Sequence, residues 1–96
     1  MNEKIIVQLI EIIKERKKSS DKNSYVVNLF DEGKVKIANK LGEEAVETIS
    51  AFLSEGKKEL LEESADLIFH FLIMLERADV SFDDVLLVLK KRMKND

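Results

Sequence analysis

The chain has 96 residues, a formal charge of −3 and no cysteine, with 45% apolar and 36% charged side chains. That size gives one domain with a modest core, expected here over residues 1–96, and the apolar content excludes a disordered chain. Absence of cysteine rules out disulfide and thiolate chemistry and is compatible with a cytoplasmic location. The mild acidity argues against a nucleic-acid binder.

Proline is absent, glycines number three, and Leu, Ile, Glu and Lys are abundant, which favours helix over sheet. Residues 3–17 read as a first helix, with Ile5, Ile6, Leu9, Ile12 and Ile13 at helical spacing. No apolar run approaches the roughly 20 residues that span a bilayer. Glu3 and Glu11 disfavour a signal peptide, and acidic residues on the polar face disfavour a helix lying on a membrane. Lys18 to Ser24 is a polar loop; Ser24 is placed to cap a short helix from Tyr25 to Asp31 that ends near Gly33. This short segment is read either as minor core, through Tyr25, Leu29 and Phe30, or as a mobile piece closing over a ligand.

A long helix is expected from about Lys34 to Leu53, with an apolar stripe of Ala38, Leu41, Ala45, Ile49 and Phe52. Gly42 lies inside it, at a cost of about 1 kcal/mol relative to Ala, and suggests a close backbone approach. The next helix, about Lys57 to Arg77, carries Leu60, Leu61, Ala65, Leu67, Ile68, Phe71, Leu72 and Leu75. It is apolar over much of its circumference, which places it centrally or against a second subunit. After the turn Asp79-Val80-Ser81, Ser81 is expected to cap a last helix, with Asp84 in the manner of a capping box. That helix ends in Lys90, Lys91, Arg92 and Lys94, which suit the helix dipole or a phosphate reached across a dimer. The expected class is all-α: an antiparallel helical hairpin core with flanking helices, four long helices in all, dimerising into a bundle.

The chemistry is concentrated between Lys40 and His70. Glu43-Glu44-x-x-Glu47 is echoed by Glu62-Glu63-x-x-Asp66, with the break Ser54-Glu55-Gly56 between them. Each copy spans an arc of roughly 100° on its helix. A hairpin centred on residue 55 sets Glu47 level with Glu63 and Glu44 level with Asp66, and Ala45 and Ala65 are small enough for close approach. Four carboxylates gathered in this way repel and are costly to bury, and a hard divalent cation removes the cost. Mg²⁺ is the expected ion where phosphates complete its coordination. The same acids also fit solvated helix faces. His70, four residues after Asp66, either orients that carboxylate, contacts substrate or is a satisfied core histidine. Lys36 and Lys40 suit a polyphosphate; Lys40 is equally placed for an ion pair with Glu44.

Lys36-Ile37-Ala38-Asn39-Lys40-Leu41-Gly42-Glu43-Glu44-Ala45-Val46-Glu47, followed by Glu62-Glu63-Ser64-Ala65-Asp66-Leu67-Ile68-Phe69-His70, resembles the phosphoribosyl-ATP pyrophosphohydrolases, within the MazG-like all-α nucleotide pyrophosphatases. Ser24-Tyr25 fits the Ser-Tyr-Thr segment of that family, and Ser81-Phe82-Asp83-Asp84-Val85 with Leu89 and Arg92 fits its last helix. Val26 and Phe69 depart from the usual Thr and Tyr, and each loses a hydroxyl. The resemblance implies hydrolysis of the α–β phosphoanhydride of phosphoribosyl-ATP, giving phosphoribosyl-AMP and pyrophosphate, in histidine biosynthesis. It implies Mg²⁺ on Glu44, Glu47, Glu63 and Asp66, a bound water as nucleophile and Glu44 or Glu47 as proton acceptor. Ser24, Tyr25, Lys36, Lys40 and His70 are the implied substrate-binding residues, and a homodimer or larger homo-oligomer is the implied assembly. Two alternatives stand beside it: a general MazG-like nucleoside triphosphate pyrophosphatase, and a non-enzymatic helical dimerisation module.

Overall fold

A computed structural model describes residues 2–95; Met1 and Asp96 lie outside it. Five helices follow one another, α1 (Lys4–Lys17), α2 (Tyr25–Glu32), α3 (Lys34–Ser54), α4 (Lys57–Arg77) and α5 (Phe82–Met93), and no strand occurs among the described residues. Each boundary has a local cause. Ser24 caps α2 by accepting from the Val27 amide at 3.2 Å. Gly33 separates α2 from α3 with φ 99° and ψ −177°, a region open essentially to glycine alone, so the chain turns there without an intervening loop. At the end of α4, Asp79 adopts the left-handed conformation (φ 62°). The Asp79 amide donates to Glu76 O at 3.1 Å and the Val80 amide to Leu75 O at 3.0 Å, the paired bonds of a Schellman motif. Ser81 caps α5 through the Asp83 amide at 3.1 Å. Asp84 forms no reciprocal bond among the described residues, because its side chain is one methylene shorter than the glutamate of a capping box.

Helices α3 and α4 pair as the expected antiparallel hairpin, and α1 and α2 pack across one end of it. The core joins Ile13 of α1, Val26 and Leu29 of α2, Ile37 of α3, and Leu72 and Ile73 of α4, with Leu9, Ile10, Phe30, Phe69 and Phe82 packed around them. Helix α2 is therefore a core element and no loose cover: Val26, Val27 and Leu29 are all buried. Lys17 ties the far ends of α1 and α4 together, donating to Glu76 O at 2.9 Å.

The face that α3 turns to α4 differs from the apolar stripe its sequence suggests. The buried positions are Ile37, Glu44 and Ala51, with half-buried Leu41 and Thr48 between them, a repeat of four and three residues. Ile49 and Phe52, from the expected stripe, are 58% and 70% exposed. On α1, Ile5 and Ile12 are also exposed while Ile13 is buried, and on α4 so are Leu61 and Ile68. Ala65 is exposed, so it does not set the helix separation. An added Cβ at Gly42 would meet nothing within 4 Å, so no backbone of this chain approaches it. Helix α5 has no buried residue at all.

Candidate active site

The hairpin brings the two acidic motifs together. One carboxylate oxygen from each of Glu44, Glu63 and Asp66 lies within 4.8 Å of the others, with Glu44 buried, Glu63 half-buried and Asp66 exposed. Glu47 is exposed on the same side of α3 and close enough to Glu63 to hydrogen-bond its carboxyl. That hydrogen bond, followed by burial and the repulsion of Glu47, Asp66 and Glu44, pushes the Glu63 carboxyl up to about 7. Burial first, then the Glu47 charge, raises Glu44 as well. Beyond these acids a small groove of about 180 Å³ runs toward the hairpin turn, lined by Glu47, Ser50, Glu55, Glu59, Glu62 and Glu63.

Two oxygens in this cluster, Glu44 Oε2 and Glu63 Oε2, are shut away from solvent without a hydrogen-bond partner. Buried carboxylate oxygens are rarely left so, since an unmet acceptor costs on the order of 1–3 kcal/mol. Oxygen donors of this charge and spacing suit a hard divalent cation, so the residues fit the ion that their pattern suggests.

Beside the acids sits a polar and aromatic corner. His70, buried on α4, lies 2.8 Å from the main-chain oxygen of Asp66 through Nδ1 and 2.8 Å from Tyr25 Oη through Nε2. A carbonyl only accepts, so Nδ1 carries the proton; in the neutral ring Nε2 then accepts from the tyrosine hydroxyl. Burial raises the Tyr25 pKa, which keeps the phenol in its donating form. His70 thus holds the backbone of Asp66 and not its carboxylate, and it joins α4 to the start of α2. The Tyr25 ring also stacks on Phe69, with centroids 6.4 Å apart. Lys40 reaches Glu43 at 3.4 Å and Glu44 at 3.9 Å, and lies near the Tyr25 hydroxyl. Lys36, one turn earlier, is exposed and makes no ion pair among the described residues.

Of the residues singled out by sequence, Glu44, Glu63 and Asp66 converge, Glu47 flanks them, and Tyr25, Lys40 and His70 form one wall. Ser24 stands apart: it is buried, and its oxygen is engaged in capping α2, which fixes the position of neighbouring Tyr25. One residue beside the cluster was not anticipated. The Thr48 hydroxyl lies 2.7 Å from Glu44 O and 3.0 Å from Glu63 O, bridging the two helices. Its only sequence signal is its place one turn after Glu44.

The family model for phosphoribosyl-ATP pyrophosphohydrolase matches residues 6–93. The chain belongs to that family. It is 45% identical over 92 residues to the phosphoribosyl-ATP pyrophosphatase of Zymomonas mobilis, covering 96% of this chain and 86% of that protein. Identity to the phosphoribosyl-ATP pyrophosphatase of Pyrobaculum arsenaticum is 43%, covering 98% of this chain and all (100%) of that one. A third relative, the histidine biosynthesis bifunctional protein HisIE of Thermotoga maritima, is 41% identical over 88 residues, 92% of this chain but 45% of its own length. All five helices fall within or across the matched stretch, which therefore spans the acid cluster, Tyr25, His70 and the turn before α5.

Proposed function

We propose that this chain hydrolyses phosphoribosyl-ATP at its α–β phosphoanhydride, releasing phosphoribosyl-AMP and pyrophosphate in the second step of histidine biosynthesis, as a cytoplasmic enzyme. Membership of the family supports the substrate, and the convergence of Glu44, Glu63 and Asp66 across the hairpin is the single structural observation that carries the chemistry. No helix among the described residues is long and apolar enough to cross a membrane.

Glu44, Glu63 and Asp66, with Glu47 beside them, would hold Mg²⁺, which supplies charge neutralisation at the phosphate oxygens and acidifies water. The remaining groups divide the work by position. Lys40, pointing along α3 into the acid cluster, places a cation where a phosphate oxygen would otherwise meet carboxylates. Lys36 extends that positive edge by one helical turn. Tyr25 and Phe69 present a stacked ring pair to the organic part of the substrate, and His70 keeps the Tyr25 hydroxyl fixed. Glu47, the exposed member, is the best placed to accept a proton from the attacking water, because Glu44 is buried and engaged by Lys40.

The same reading includes a homodimer. Val35, Val46, Ile49, Phe52 and Leu53 leave α3 with an apolar outer face, each at least 58% exposed, and α5 exposes Leu86 to Leu89 in an unbroken run. A monomer seldom leaves so much contiguous apolar surface open. A second copy packed on α3 and α5 would cover it and close the cleft from outside.

The test is a product assay. With Mg²⁺ and phosphoribosyl-ATP the protein should release pyrophosphate, and Glu47→Gln should abolish the release. Liberation of single phosphates, or rapid turnover of ordinary nucleoside triphosphates with phosphoribosyl-ATP left intact, would overturn the assignment. A single-chain mass in light scattering would overturn the dimer.

A further inference from the structure

Thr48 lies on the α3 face turned toward α4, between the levels of Glu44 and Ala51. Its Oγ1 is 2.7 Å from the main-chain oxygen of Glu44 and 3.0 Å from that of Glu63. The hydroxyl has one proton, so the two carbonyls share it. Apart from the carboxyl contact of Glu47 with Glu63, this is the one side-chain hydrogen bond between α3 and α4 among the described residues. It falls where the two helices have most reason to separate. The side chains at this level are carboxylates that repel one another, and Glu44 Oε2 and Glu63 Oε2 have no partner to draw them together.

We infer that Thr48 is a positioning residue: its hydroxyl clamps α3 to α4 so that the carboxylates of Glu44 and Glu63 already stand at ion-binding separation before an ion arrives. The inference rests on the metal reading proposed above. Both acceptors belong to residues of the cluster, so the clamp acts on the backbone beneath each ligand and not on the ligand oxygens. Side chains that fix a metal ligand from behind commonly contribute about 10–100-fold to metal affinity. Both carbonyls lie inside helices and keep their amide partners when the hydroxyl is removed, so Thr48→Val leaves no group stranded. Valine also preserves the branched shape and has similar helix propensity.

The experiment titrates Mn²⁺, which takes the same oxygen ligands, into the full chain and follows free ion by electron paramagnetic resonance. Wild type, Thr48→Val and Thr48→Ser are compared, with Thr48→Ala replacing valine if that variant does not fold. The expected result is roughly tenfold weaker Mn²⁺ binding in Thr48→Val and a return to within about twofold of wild type in Thr48→Ser. In turnover, the Mg²⁺ concentration for half-maximal rate should rise in Thr48→Val while the rate at saturating Mg²⁺ holds. Equal Mn²⁺ affinity in wild type and valine variants would overturn the clamp, as would a serine variant as weak as valine. A wild-type protein that takes up no Mn²⁺ would sink the metal reading itself.

Discussion

Removing one charge from the acid cluster should stabilise the metal-free protein and cost it its response to metal. Glu63→Gln is the informative change, because the Glu63 carboxyl is pushed up to about 7 by its hydrogen bond to Glu47, by burial and by neighbouring charges. A carboxyl raised in the folded state binds more protons folded than unfolded. Stability therefore falls as pH rises from the ordinary glutamate value of 4.5 to about 7, and levels off above that. Metal-free wild type should lose melting temperature through that window. Glu63→Gln, which has nothing to ionise there, should show a much flatter profile and melt above wild type at pH 8. Divalent ion should reverse the order. An ion at a hundred times its Kd stabilises by about 2.7 kcal/mol. For a chain of 96 residues, at about 4–8 °C per kcal/mol, that is a rise of roughly 10–20 °C in wild type, with most of it missing in Glu63→Gln. The assay is thermal unfolding by circular dichroism at pH 5 and 8, with and without Mg²⁺. A wild-type curve that climbs between pH 5 and 7 without metal, or an Mg²⁺ response as large in Glu63→Gln as in wild type, would refute the reasoning.

Gly33→Ala should lower stability by about 1–3 kcal/mol in denaturant unfolding, since a side chain is strained at φ 99° however open the surroundings. Asp79→Gly should raise it by about 0.5–1 kcal/mol in the same measurement, because glycine occupies the left-handed end of α4 without penalty. Gly42→Ala should stabilise the single chain by up to about 1 kcal/mol, as nothing in it opposes a methyl group there. If the same variant raises stability but loses activity or dimerisation, the open face at Gly42 is where substrate or a second copy comes close. Tyr25→Phe should reduce substrate affinity more than the rate at saturation, because it deletes the hydroxyl bonded to His70 while sparing the acids; steady-state kinetics separates the two.

The helices and their ends were legible because their causes are local. Serines 24 and 81 cap, glycine 33 breaks, and the symmetric acidic motifs around residue 55 fix the hairpin register that joins Glu44 to Asp66. Which apolar residues of α3 accompany the acids inward was not legible. A hydrophobic criterion selects the row through Ala45, Ile49 and Phe52, whereas the inward row carries Glu44 and Thr48 at its middle. A helix that presents carboxylates to its partner must put its polar residues on the buried side, and its apolar stripe is then rotated outward. The partners of Thr48 and His70 were hidden for another reason. Both bond main-chain carbonyls, which every residue possesses, so no side-chain pattern marks the acceptor.

That rotation links the acid cluster to the proposed dimer. In a hairpin with an apolar seam, the outer face of α3 is free to be polar. Here the seam is given over at its middle to acids and a hydroxyl, and Ile49, Phe52 and Leu53 stay exposed on the outside of the single chain, where a second copy would recover the burial lost inside. With no fully buried residue in α5, the single chain buries only a small core at one end of the bundle, around Ile13, Ile37 and Ile73. The proposed metal binding and the proposed subunit pairing would therefore have one structural origin: each would offset a cost created by turning Glu44 inward.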